Sequence, residues 1–198
     1  MAAFIINLIC YFAVPLWMLA GICDWWCHRI TAIEKNSGIK ESLIHSVMLF
    51  EMGIPILAAL FLEVNALVLT LALTLWLVHE ATALWDVSYA HKRRYLSPFE
   101  QHVHSFLELM PLMTFVLLAA LHWTQFLALF GAGSDRADFT PQWKRRPLPL
   151  TYSIAVLGGV VCFQLIPYGE ELWRCWRAKI ASENRVESIQ NAPTSRRK

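Results

Sequence analysis

Along this chain the apolar residues come in long runs, and the charged residues cluster between them. The runs are long enough, at ~1.5 Å per residue, to cross the hydrocarbon core of a bilayer. They predict five spans, at about 2–23, 43–62, 66–89, 101–130 and 150–168. Pro15 lies inside the first, where a membrane helix tolerates a kink. No basic residue precedes that run and no small-residue cleavage site follows it, so the expectation is a retained helix. Trp25 and Trp26 at its end read as interface anchors. Asn36-Ser37-Gly38 is a turn signal. The short break Glu63-Val64-Asn65 makes the second and third spans antiparallel neighbours. Ser97-Pro98-Phe99-Glu100 opens the fourth helix with Ser at the N-cap, Pro in the first turn and Glu placed for a capping box. The fold class is therefore all-α, a polytopic membrane protein with about five spans. One domain covers 1–180, and 181–198 is polar and expected to be a disordered tail.

Composition agrees with that class. Hydrophobic residues make up 57% of the chain and charged residues 16%, with mean hydropathy +0.43. The formal net charge of +2 is too small to suggest nucleic acid. The five cysteines, odd in number and mostly in or beside apolar runs, form no disulfide framework. Basic residues set the expected orientation: Arg29, Lys35, Lys40 and Lys92 to Arg94 lie on the same side as the basic tail. Positive-inside then puts the N-terminus outside and the C-terminus in the cytosol, with the cluster Lys144 to Arg146 arguing the other way.

Two stretches repeat a pattern. Asp24 and His28 precede Glu41-x3-His45-Ser46, while Asp86 and His91 precede Glu100-x3-His104-Ser105. Each reads as a span ending in Asp and His, a polar turn, then a span opening with Glu-x3-His-Ser. The expected architecture is two similar helical hairpins, related by a pseudo-twofold along the membrane normal, plus a fifth span.

Residues four apart share a helix face, so each Glu-x3-His offers an oxygen and a nitrogen ligand to one point. Helical bundles hold two iron or manganese ions with such inward carboxylates and imidazoles. Soluble di-iron carboxylate proteins share this ligand logic but use Glu-x2-His, and the tight histidine boxes of membrane desaturases are absent. The expected metal ligands are Asp24, His28, Glu41, His45, His79, Asp86, Glu100 and His104. Glu80 and Glu108, about two turns deeper, are expected to orient ligands or relay protons, with Glu51 less certain in its direction. His91 is open between ligand and solvated loop residue, and His102 and His122 are expected to stand apart. Carboxylates with imidazoles and no thiolate pair favour two ions of iron, manganese or zinc. The expected activity is that of a di-iron oxidoreductase, hydroxylase- or desaturase-like, acting on a lipid or other hydrophobic substrate at the cytosolic side. An electron-donor protein is its expected partner. The alternatives are a zinc-dependent membrane hydrolase, a metal-ion or proton transporter, a haem-binding electron-transfer subunit, and a structural membrane partner without a site.

Overall fold

A computed structural model describes residues 1–191. Five of its helices are long and apolar enough to cross a membrane: α1 (Ala2–Ile30), α2 (Ile39–Phe61), α3 (Ala66–His91), α4 (Pro98–Leu121) and α5 (Leu150–Gln190). By length and composition the chain is an integral membrane protein. Among the described residues the only β-pairing is an isolated antiparallel bridge between Leu62 and Trp143.

The helix ends depart from the hydropathy boundaries because apolarity marks where lipid contact stops, not where hydrogen bonding stops. α1 continues through Asp24 and His28, whose polar groups turn inward and are buried. α4 ends at Leu121, short of residue 130. His122 leaves the helical backbone region there, and Trp123–Ala128 form a separate short helix. The polar stretch from 181, expected to be disordered, is helical through Gln190. Its Glu, Arg and Lys are good helix formers, and Lys179 and Glu183 pair one turn apart at 3.9 Å. Residues 192–198 lie outside the described residues.

α2 lies along α3, α1 packs on α4, and α5 packs against both α1 and α2. At one end of the bundle the Leu62–Asn65 link is covered by the 131–149 loop. The Glu63 N–H donates to Gln142 O (2.8 Å), and the Lys144 N–H donates to Phe61 O (2.9 Å). The Lys144 ammonium donates to Leu62 O (3.0 Å) and to Ala59 O, which satisfies carbonyls at the end of α2. Burial pushes the pKa of that ammonium down, against the pull of Glu63. Asn65 caps α3 by accepting from the Val68 N–H. Val64, Val68, Leu69, Phe115 and Ala119 form a buried apolar cluster behind this link.

The opposite end is built differently. Ser97 caps α4, its Oγ accepting from the Glu100 N–H at 3.1 Å. The Glu100 carboxylate does not return to the Ser97 backbone. It turns inward, so only half of the expected capping box forms, and the other half is spent in the bundle interior.

Candidate metal centre

Five helices deliver polar side chains to one place. α1 presents Asp24 and His28 from one face, α2 presents Glu41 and His45 from its first turns, and α3 presents Asp86. α4 adds Glu100 and His104, the latter half-buried, and the others are all buried. α5 adds Tyr168 and Glu171 at a spacing that puts both on one face.

Glu171 organises the centre. Its two carboxylate oxygens take the Nδ1 atoms of His28 and His45, each at 2.9 Å. The two imidazoles stack in parallel, 4.3 Å between centroids and 6° between planes. With Nδ1–H donated to Glu171, the neutral form of each ring leaves its Nε2 lone pair free, and neither Nε2 makes a hydrogen bond among the described residues. Around them lie the remaining donors. Asp24 Oδ1 is 3.4 Å from His28 Nε2 and 2.9 Å from His104 Nε2. Glu100 Oε1 is 3.7 Å from His28 Nε2, and Asp86 Oδ1 is 3.3 Å from His45 Nε2. Tyr168 Oη donates within reach of Asp24 Oδ2 (3.0 Å) and Gly21 O (3.2 Å).

Arg94 bridges Glu41 and Glu100, at 2.6 Å to each. Although burial opposes its charge, the two carboxylates hold the guanidinium's pKa above its ordinary value. One oxygen of each, Glu41 Oε2 and Glu100 Oε2, stays buried without a partner among the described residues. Buried polar atoms are usually satisfied, and so many orphans in one place mark a site for something that accepts their lone pairs. Ligand atoms of Asp24, His28 and His104 lie within 4.8 Å of one another, as do those of His28, Glu41 and His45. A cavity of about 20 Å³, lined by Asp24, His45, His79, Asp86, His104 and Glu108 among others, adjoins them. That is room for about one water-sized particle.

The other residues singled out by the sequence sit apart from this ring. His79 is buried one layer deeper and faces Glu51, with 3.5 Å between Nδ1 and Oε2, and Glu51 also accepts from the Thr82 hydroxyl at 2.8 Å. His79 reaches the ring only across open space, which it lines together with Asp24 and His45. Glu80 and Glu108 are half-buried, and Glu108 lines that cavity. His91 and His102 are exposed at the helix ends.

Arg94, Tyr168 and Glu171 were not among the sequence candidates. Arg94 reads as one more basic loop residue, and Glu171 as part of a charged surface helix. The available signal is the spacing Tyr168, Glu171, Cys175, which is one helix face, and all of it is buried. No family of proteins, no curated protein and no solved structure matches this chain.

Proposed function

We propose that the chain is a membrane-embedded enzyme with a pair of metal ions, iron first, that oxidises a hydrophobic substrate near the cytosolic membrane surface. The observation that carries this reading is the stacked His28 and His45 pair on Glu171. Parallel rings aim their Nε2 lone pairs side by side and not at one point, so each imidazole serves its own ion. Such a pair of side-by-side donors suits a two-metal site. Asp24, His104 and Glu100 surround the His28 position, and Asp86 and Glu41 the His45 position. Glu171 then acts as the carboxylate behind a metal-binding histidine, fixing tautomer and ring orientation.

The donor set, imidazole with carboxylate, suits iron or manganese, and iron in such a set supplies oxygen activation. Dioxygen is the oxidant in this reading. One oxygen atom enters a substrate C–H bond as hydroxyl and the other leaves as water, with two electrons from a donor protein and two protons from the aqueous side. Glu108 and His79, across the small cavity from the ring, are the groups placed to pass protons.

The repeat belongs to the same reading. Asp24 of the first copy contacts His104 of the second, and Asp86 of the second contacts His45 of the first. Glu41 and Glu100, equivalent positions, share Arg94. These reciprocal pairs support two hairpins about a pseudo-twofold. The basic residues near the ring support a cytosolic location for it.

The test is metal analysis of the detergent-purified chain with optical and X-ray absorption spectra. Two irons per chain, no Soret band and a short metal–metal distance support the proposal. Zinc in both positions turns the reading to hydrolysis. A Soret band turns it to haem, and a chain that takes up no metal overturns it.

A further inference from the structure

A second, larger hollow opens beside the ring. It holds about 280 Å³ and lies between α1, α2 and α5. Trp17, Met52, Ile56 and Leu165 give its walls their character, which is apolar almost throughout. Polar side chains gather towards one end, where Asp24, His45, Tyr168 and His79 line it, and Gln164, one turn from Tyr168, donates its amide to Met18 O. Along α2 the lining runs from His45 to Leu57, ~18 Å at ~1.5 Å per residue. A hollow of that length and volume has room for an alkyl chain laid along α2, and it opens towards lipid at Phe50, Ile54 and Leu57. Its polar end coincides with the buried donors at the helix ends, and its apolar end points into the membrane interior.

Both flanking helices are locally widened at this slot. α1 contains a π turn at Ile9–Ala13, just before Val14 of the lining, and α5 contains one at Val161–Leu165, which supplies Gln164 and Leu165 to it. Single π turns inside α-helices recur at functional sites. A binding pocket is typically apolar with a few convergent polar groups, which is the composition found here.

The geometry points to a substrate with an alkyl chain and a small polar head. It lies in the slot with its head end at His45, Asp24 and Tyr168 and its tail towards Leu57. This rests on the metal-centre reading for the chemistry but not for the binding. It adds two things: the substrate lays an alkyl chain along α2, and the reactive carbon is near the head.

The probe is a long-chain alcohol carrying a diazirine at the tail end, photolysed on the full chain in detergent, with labelled residues mapped by mass spectrometry. Gly53 lines the slot, and a Cβ built there meets nothing within 4 Å. Gly53→Phe therefore fills the slot without a backbone clash, and Ile56→Trp fills it from a second position. The expected result is labelling of α2 between Gly53 and Leu57, lost in both variants while bound metal is unchanged. Labelling that persists in both variants, or that spreads over outward-facing Leu43, Phe106 and Val116, means lipid contact only and overturns the slot. Slot labelling in a chain that takes up no metal upholds the slot and removes the enzyme reading, so the two ideas fail separately.

Discussion

At the scale of single residues, neighbours Glu170 and Glu171 show how position decides role. Glu170 is half-exposed and pairs at the surface with Trp25 (3.1 Å), Arg29 (2.6 Å) and Arg174 (3.2 Å). Glu171 is fully buried and bridges two imidazoles. Glu171→Gln can accept one Nδ1–H but must present its amide to the other ring, so one histidine loses its orientation. Metal affinity should fall by ~10–100-fold, as it does when the partner behind a metal-binding histidine is lost. Glu170→Gln should leave affinity unchanged. Metal titration of the purified apo-proteins reads both, and equal losses would mean that net charge, not this bridge, matters. The ring residues on α1 to α4 were legible because each is an ionisable group near the end of an apolar run, where it costs free energy unless partnered. Glu171 and Arg94 were not, because runs of charge look solvated until the fold shows which member turns inward. His79 was legible as lying about two turns deeper than the ring, but its pairing with Glu51 was not, since sequence gives a residue's face and depth and not what it meets.

At the scale of elements, α5 has to keep one face on α1 and α2 along its whole length. Tyr152 donates to Cys10 O near one end, and Tyr168, Glu171 and Cys175 are buried near the other. At 3.6 residues per turn, Tyr152 and Cys175 would stand about 140° apart on a regular helix; one residue absorbed by the π turn brings them to about 40°. The π turn thus carries the ring-bearing face into register, and hydropathy alone has no signal for it. Between those ends Gln164 donates to Met18 O at 2.9 Å, in the space left by the missing side chain at Gly21. A Cβ on Gly21 would stand 2.3 Å from Gln164 Oε1. Gly21→Leu should therefore displace the Gln164 amide from Met18 O, costing the ~0.5–1.5 kcal/mol of one hydrogen bond, and weaken metal binding through Asp24 and Tyr168. Gly158→Leu, where a Cβ meets nothing within 4 Å, should not. Thermal unfolding in detergent with and without metal separates the two. A Gly21→Leu protein as stable as the parent would show that this contact does not hold the helices together.

At the scale of the whole molecule, the two ends of the bundle are different kinds of structure. One end is a packed apolar cluster sealed by a loop, and the other is a ring of ionisable groups. Five spans were legible from hydropathy, and the short 63–65 break gave the pairing of α2 with α3, but the remaining contacts between spans were not legible. The fifth packs against both α1 and α2, because its Tyr168 and Glu171 must reach His28, His45 and Asp24. The basic cluster at 144–146 had opposed the orientation drawn from the other loops. Lys144 is now accounted for, since its ammonium caps α2 and is half-buried with its pKa pushed down by burial. A charge held by helix carbonyls says less about sidedness than a free one, which leaves Arg136, Arg145 and Arg146 against Arg29, Lys35, Lys40, Lys92 and Arg93. The proposed orientation therefore puts the ring and its loops in the cytosol. Asn36, Arg93 and Asp135 are all exposed, so a cysteine at any of them can react once the reagent reaches that side. In intact cells a membrane-impermeant maleimide should modify Asp135→Cys and spare Asn36→Cys and Arg93→Cys until the membrane is permeabilised. The unsubstituted chain serves as the blank for its own cysteines. The reverse pattern would put the ring outside, away from cytosolic iron and reductant, and would remove the oxidase reading while leaving the metal centre itself to be decided by analysis.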